Sequence, residues 1–253
     1  MAAMLAALYS ACAYILFLAT FLYAIGFVQG QVVPKSINTG SVDAVGWSVL
    51  INLALLGLFA VQHSVMARPA FKRVWTRIVP APIERSTYVL LASLALALLF
   101  WQWQPIPQTI WTVDHAGAAA LINGLAWLGW ATVLISTFLI SHFHLFGLTQ
   151  GFARLLHIDP QEPQFVTPMF YRWVRHPIYT GFVIAFWATP EMTAGHLLFA
   201  VATTGYILIG ISLEERDLVS LFGDRYRHYR TRAGMLFPRL RSSSGGSAAR
   251  EAR

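Results

Sequence analysis

The chain has 253 residues, of which 57% are hydrophobic and 11% charged. A soluble domain carries about 25% charged residues, so this composition points to a polytopic membrane protein. The formal charge of +7 does not mark a nucleic-acid binder. Seventeen of the eighteen Lys and Arg fall within 68–85, 154–175, 216–241 and the extreme tail, with Lys35 alone elsewhere. That clustering is the positive-inside pattern, and its excess charge suits anionic lipid headgroups. The single cysteine, Cys12, excludes an internal disulfide and cysteine-rich metal sites. Its place in the first apolar run predicts a packing role.

The first apolar run, 3–28, is too long for a signal h-region and lacks a basic leader, so it predicts a retained helix. The second run, 44–62, ends at Gln62-His63-Ser64. A basic stretch with interleaved apolar residues follows, 66–75, and predicts an interfacial helix opened by Pro69. Runs three and four are 86–103, closed by Trp101 and Trp103, and 120–141. Each approaches the ~20 residues needed to cross hydrocarbon. Segment 178–211 is too long for one span and short for two, and Thr189-Pro190-Glu191 interrupts it. A proline beside an acid predicts a break at the far face and a helical hairpin with arms 178–188 and 194–212.

The expected architecture is therefore all-α: a polytopic membrane protein of four spans plus a C-terminal helical hairpin and a cytosolic cofactor-binding segment. On this reading 1–240 is a single integral membrane domain. The amino terminus, 64–85, 147–177 and everything after 213 lie inside. The tail 241–253, mostly Ser, Gly, Ala and Arg, is expected to be disordered.

On that topology a set of polar groups converges at the inner face: His63, Arg85, His142, His144, His176, Glu214 and Glu215. Ionisable groups at membrane depth are costly and tend to be paired or functional. His115 and His196 fall on the outer side and are expected to be solvated. His142-x-His144 offers two imidazoles of the kind that bind iron or zinc. Two residues apart on a helix, however, they point about 200° away from each other, and one such pair is far short of a diiron box set, so no metal is expected.

Glu214 and Glu215 have no basic residue three or four positions on; the nearby groups are Asp217, Leu218 and Val219. Either they belong to a solvated helix end or they receive a cationic ligand. Tyr226, Tyr229 and Arg230, with Arg227 and His228 between them, offer ring faces and cationic donors suited to a planar, anionic partner. An interfacial amphipathic helix against headgroups is the plainer reading of the same run. No glycine-rich strand-turn-helix fingerprint is present, so a Rossmann cofactor domain is not expected.

These residues carry a resemblance. Arg175-His176-Pro177-x-Tyr179-x-Gly181 is similar to the first motif of the isoprenylcysteine carboxyl methyltransferase family of membrane methyltransferases. Glu214-Glu215, followed by Phe222-Gly223-Asp224-x-Tyr226-x-x-Tyr229, resembles its second. The amino-terminal half narrows the match. Gln62-His63-Ser64-x-Met66-Ala67-Arg68, Pro82-x-Glu84-Arg85-Ser86-x-Tyr88 and His142-Phe143-x-x-Phe146-Gly147-Leu148 resemble a bacterial branch that contains NnrU-like proteins and small-thiol methyltransferases.

The resemblance implies S-adenosylmethionine as cofactor, bound on the cytoplasmic side of a bacterial inner membrane and leaving as S-adenosylhomocysteine. It implies a small thiol as substrate, methanethiol becoming dimethyl sulfide, with a prenylcysteine, a lipid or another thiol as the alternative substrate, and with membrane lipids but neither nucleic acid nor an obligate protein as partners. It assigns Arg175, His176, Pro177, Tyr179, Gly181, Glu214, Glu215, Tyr226 and Tyr229 to cofactor binding; Tyr206, as an aromatic face for a cation, and Arg230, as a cationic donor, join them on their chemistry. His63 and His142 are the neutral-pH proton acceptors, Arg85 a thiolate stabiliser, and Glu215 the carboxylate nearer the sulfonium. Glu214 is expected to lie outside it, paired with Arg175 or Arg227.

Overall fold

The protein is described by a computed structural model covering residues 1–158 and 165–239; the tail 241–253 lies outside the described residues. Among the described residues, five helices are long and apolar enough to cross a membrane. They are α1 (Ala2–Gln29), α2 (Val45–Ala67), α4 (Ala81–Gln102), α5 (Ala116–Ile140) and α9 (Ala194–Phe222). Shorter helices are α3 (Pro69–Trp75), α6 (His142–Leu145), α7 (Leu148–Leu156), α8 (Pro177–Trp187) and α10 (Asp224–Arg232). The fold is a polytopic helical membrane protein.

Sequence punctuation sets the boundaries. Gly30 closes α1 in the left-handed region (φ 68°), donating its N–H to the Gly26 carbonyl. Pro69 and Pro177 each occupy the first helical position, where a missing N–H costs nothing. Thr193 caps α9, its hydroxyl accepting from the His196 N–H at 3.1 Å.

One expectation is corrected. The count of four spans plus a hairpin becomes five span-length helices and one half-length one. α9 runs unbroken for 29 residues, through the acidic pair to Phe222, and so reaches full span length by itself. α8 has only 11 residues, about 16 Å of helix against ~30 Å of hydrocarbon. The class is all-α as expected, with one short two-stranded ladder beside the helices. β1 (Thr109–Thr112) and β2 (Glu191–Thr193) pair antiparallel, with Trp111 opposite Met192. The strands satisfy backbone groups where two interhelical loops meet, a task no helix end could perform there.

The β-strand end of the bundle is sealed by aromatic packing. Phe27, Leu99, Phe100, Trp103, Trp130, Phe186 and Phe199 form one buried cluster. The Trp103 indole N–H donates to the Ile37 carbonyl at 3.1 Å, and Asn52 brackets Gln104 with two backbone hydrogen bonds. His196 belongs to this end but is not solvated as expected. It is 1% exposed and its Nε2 lies 2.9 Å from the Phe186 carbonyl, because the capping turn of α9 folds it onto the last turn of α8. Cys12 faces outward rather than into the packing.

α5 and α8 touch backbone to backbone. A Cβ on Gly181 would stand 2.6 Å from the Gly129 carbonyl oxygen, and one on Gly129 would stand 2.7 Å from that of Gly181. Small residues facing each other let membrane helices approach this closely. The contact fixes the short helix that carries the first motif.

Candidate active site

At the end opposite the strands, the two motifs come together. His176 caps α8, and the segment 173–176 runs beside 233–236. Arg175 N–H donates to the Gly234 carbonyl at 2.8 Å, and Gly234 N–H to that of Trp173 at 2.9 Å. The Thr180 hydroxyl adds a bond to the Leu236 carbonyl at 2.7 Å. The chain after α10 is thereby strapped across the opening of α8.

Glu215 is the hub. Its Oε1 accepts from Arg175 Nε at 2.7 Å and lies 3.1 Å from His176 Nε2, while its Oε2 forms an ion pair with Arg230, 3.1 Å from Nε. Arg175 also donates to the Ala233 carbonyl at 2.6 Å. The Glu215 and Arg175 side chains are 9% and 8% exposed. A buried carboxylate with two guanidiniums is compensated within the chain.

Glu214 differs. About 100° further round α9, its side chain is 42% exposed, accepts from the Tyr179 hydroxyl at 3.0 Å, and has His176 Nδ1 at 3.9 Å. The expected pairing of Glu214 with Arg175 or Arg227 is corrected: Arg175 holds Glu215, and Arg227 holds Asp224 at 2.7 Å. Helix phase decides this, since Glu215 points at the strap and Glu214 toward α8.

α10 adds aromatic groups. Tyr226 is 2% exposed, and its hydroxyl is buried with no hydrogen-bond partner among the described residues. Burial pushes its phenol up, with Glu215 adding to the effect. Burial raises the Tyr229 phenol to about 12; its hydroxyl donates to the Tyr171 carbonyl. Phe165 stands edge-on to both rings at 5.9 and 5.3 Å.

Two openings flank Glu215 and Arg230. One is a cleft of about 490 Å³ between α9 and α10, walled by Ile211, Ser212, Glu215, Arg230 and Met235. The other, about 310 Å³, is lined by Arg175, Arg227, Arg230, Thr231 and Arg239. Of the cofactor candidates, Arg175, His176, Tyr179, Glu214, Glu215, Tyr226, Tyr229 and Arg230 gather here. Pro177 is the first residue of α8, and Gly181 is a helix-packing position.

The remaining candidates form two other groups. His63, on the last turns of α2, has the Tyr88 hydroxyl of α4 within 2.9 and 3.0 Å of its two ring nitrogens. Phe59 stacks on the ring at 5.1 Å, and Tyr206 of α9 stands edge-on at 6.5 Å. Ser64 donates to the Tyr206 hydroxyl at 3.2 Å, and the Arg85 guanidinium lies 5.9 Å from the Tyr88 ring centre.

His142 sits apart, 5% exposed just past α5. Its Nε2 lies 2.8 Å from the Tyr14 hydroxyl, its Nδ1 2.8 Å from that of Thr137, and Phe138 stacks flat against it at 4.1 Å. Burial holds its imidazole below the usual histidine range. Arg68, within the 66–75 stretch but without a role there, bonds Asp217 at 2.9 Å and ties the start of α3 to α9. The Tyr14–His142 and Arg68–Asp217 pairs join distant stretches of sequence, and Thr137, five residues before His142, is set by the turn after α5; a mid-span tyrosine, Tyr14, is the one signal the sequence offers.

The chain is a multi-helix membrane protein with ionic clefts at one end. No family model matches the sequence, and no solved structure matches it. Among curated proteins it is 57% identical over 238 residues to methanethiol S-methyltransferase 1 of Bradyrhizobium diazoefficiens, covering 94% of this chain and 84% of that protein. It is 56% identical over 231 residues to the methanethiol S-methyltransferase of Mycobacterium tuberculosis, covering 91% and 95%. A more distant likeness, 29% over 214 residues, reaches nurim of Xenopus laevis, covering 79% and 71%. The chain belongs to the methanethiol S-methyltransferase family, and it is a methyltransferase.

Proposed function

We propose that this protein methylates methanethiol to dimethyl sulfide with S-adenosylmethionine, at the cleft where the segments 175–181 and 214–230 meet. The observation that carries the reading is the half-exposed Glu214 beside a fully compensated Glu215, next to the unpartnered hydroxyl of Tyr226.

The residues present fit such a cofactor. A buried phenol without a partner costs about 1–3 kcal/mol, which a bound polar group offsets. Glu214 supplies a negative charge not already spent on arginine, so we assign it, rather than Glu215, to the cationic side of the donor. Glu215 then acts through Arg175, His176 and Arg230, holding the strap closed. The arginine-lined opening suits the donor's carboxylate, and Tyr226 and Tyr229 its adenine ring. When bound, the cofactor supplies a methyl group on a positively charged sulfur.

The acceptor must reach the thiolate form, because a thiol is a much weaker nucleophile and even cysteine has a pKa near roughly 8.5. We assign proton removal to His63. Arg85, near the Tyr88 ring, favours negative charge there. His142 has both ring nitrogens engaged, so we assign it to the bend after α5. A dry site strengthens the attraction between thiolate and sulfonium, and the products carry neither charge.

Lys and Arg at the cleft end favour the cytoplasmic side of a bacterial inner membrane. On that orientation α9 spans the membrane and delivers the acidic pair to the cytoplasmic side, with its first turn and the paired strand 191–193 at the far face. Cysteines placed at Glu191 and His228 should label from opposite sides; labelling from one side removes this orientation of α9. Calorimetry should show binding of S-adenosylmethionine and S-adenosylhomocysteine to the detergent-solubilised protein. Labelled cofactor should pass its methyl to methanethiol in preference to hydrogen sulfide or a prenylcysteine. Folded protein that binds neither compound overturns the reading.

A further inference from the structure

We infer that Tyr88 is the positioning residue of the proton-removing step: its hydroxyl oxygen orients His63 and stabilises that imidazole when it takes the thiol proton. The inference rests on the methyl-transfer reading above and names a residue within it.

Among the described residues Tyr88 is the one hydrogen-bond partner of His63, and its oxygen lies at nearly equal distance from both ring nitrogens. The hydroxyl is therefore within reach of either ring nitrogen, and a small turn of the ring lets it accept from an N–H at one of them while the other takes up a proton. The ring cannot turn away freely. Phe59, one helical turn earlier, lies against one face at 28° to it, and Tyr206 closes the edge at 80°. Tyr88 is itself 8% exposed, packed with Met66 and Val89.

The groups facing His63 are Tyr88 and Arg85 from α4, Tyr206 from α9, and Arg68 at the end of its own helix. None carries a negative charge. An imidazolium formed there has a phenol oxygen as its acceptor and two guanidiniums opposing it. The Tyr88 contact is thus the favourable contact available to the protonated ring. The same seam reaches the cofactor cleft: Tyr88 and Tyr206 are the tyrosines close to Tyr179, whose hydroxyl bonds Glu214.

In the step, the thiol S–H bond breaks and its proton passes to the bare nitrogen of His63. The freed sulfur lone pair forms the new S–CH3 bond. The electron pair of the donor's CH3–S bond stays on the donor sulfur, which becomes a neutral thioether. The proton leaves His63 to water after the products depart.

Four full-length proteins in detergent test this: the parent, His63→Ala, Tyr88→Phe and the double variant. Each is measured for S-adenosylhomocysteine binding, and for kcat and KM with methanethiol from pH 6 to 9.5. Tyr88→Phe keeps the ring and removes the hydroxyl. We expect kcat at pH 7 to fall roughly 10- to 100-fold, the worth of a hydrogen bond to a charged group, with cofactor binding unchanged. The deficit should shrink as pH rises and the thiol ionises unaided. The double variant should be no slower than His63→Ala.

A parent that binds no cofactor removes the methyltransferase reading itself. With binding intact, three results overturn the inference alone: Tyr88→Phe matching the parent while His63→Ala is slow, losses that multiply in the double variant, or a His63→Ala protein as fast as the parent. Nitrogen-15 spectra of the parent's imidazoles, with His63 assigned by its loss in His63→Ala, give a measurement that needs no folded Tyr88 variant. Shifts displaced by a hydrogen bond at a His63 ring nitrogen are expected at pH 7; shifts of an imidazole free of any hydrogen bond overturn the inference.

Discussion

The two ends of this bundle are held by different physics. At the strand end, Trp103 and Met192 are fully buried in aromatic and aliphatic packing; His196 and Asn52 have partners, while Gln104 Oε1 and Trp130 Nε1 have none among the described residues, and no ionic group lies among them. At the cleft end, cohesion comes from one carboxylate, Glu215, gripped by two arginines and a histidine, with an unpartnered phenol and two openings beside it. The sealed end can serve as a rigid plug. The ionic end keeps binding capacity in reserve, which is what a site for a charged cofactor needs.

Removing one anchor from each end separates stability from binding. Arg175→Ala leaves Glu215 buried with less compensation and frees the strap, a loss of about 3–5 kcal/mol for a broken buried pair. Trp103→Ala opens a cavity of similar cost, about 3–5 kcal/mol. Both should melt earlier. At a temperature where each is still folded, Trp103→Ala should bind S-adenosylhomocysteine as the parent does, and Arg175→Ala should not. Equal binding by both variants would erase the distinction between the ends.

A smaller change sharpens the division inside the cleft itself. Glu214→Gln keeps size and the Tyr179 contact but removes a half-exposed charge. The melting temperature should barely move, while cofactor affinity falls roughly tenfold, about 1.4 kcal/mol. Glu215→Gln should instead cost stability first. If Glu215→Gln weakens binding without lowering the melt, and Glu214→Gln does neither, the two roles are exchanged.

The sequence made the strand of the argument that depends on spacing readable. Apolar runs located the long helices, and the clusters at 175–181 and 214–230 marked residues that do meet in space. What it hid depends on rotation and on distant partners. Adjacent glutamates look alike in a string; only the phase of α9 against the strap separates Glu215 from Glu214. The apolar run of the last span was expected to end at 212 because charges begin there, yet the helix continues to Phe222, since a helix leaving the membrane need not stop. His142 looked equivalent to His63 because both close an apolar run. Tyr14, 128 positions away, and Thr137 make the difference.

That difference between the histidines gives the smallest expected effect, in the pH dependence of stability. Burial lowers the His142 pKa from its ordinary 6.5, so the folded protein favours the neutral ring. The unfolded chain takes up a proton as pH falls through about 6.5, while the folded chain resists it until the lower folded pKa is reached. The contribution of His142 is therefore complete above about pH 6.5 and drains away below it, at no more than about 1.4 kcal/mol per pH unit. Carboxylates titrate in the same direction, so the parent alone cannot isolate the effect. His142→Gln keeps a polar side chain but no titrating group. Its melting temperature should lie below the parent's at pH 7.5, since the Tyr14 and Thr137 contacts are disturbed, and the gap should narrow at pH 5.5. A gap that stays constant between the two pH values would mean that His142 titrates as it does in water, and that its enclosure by Tyr14, Thr137 and Phe138 does not keep it neutral.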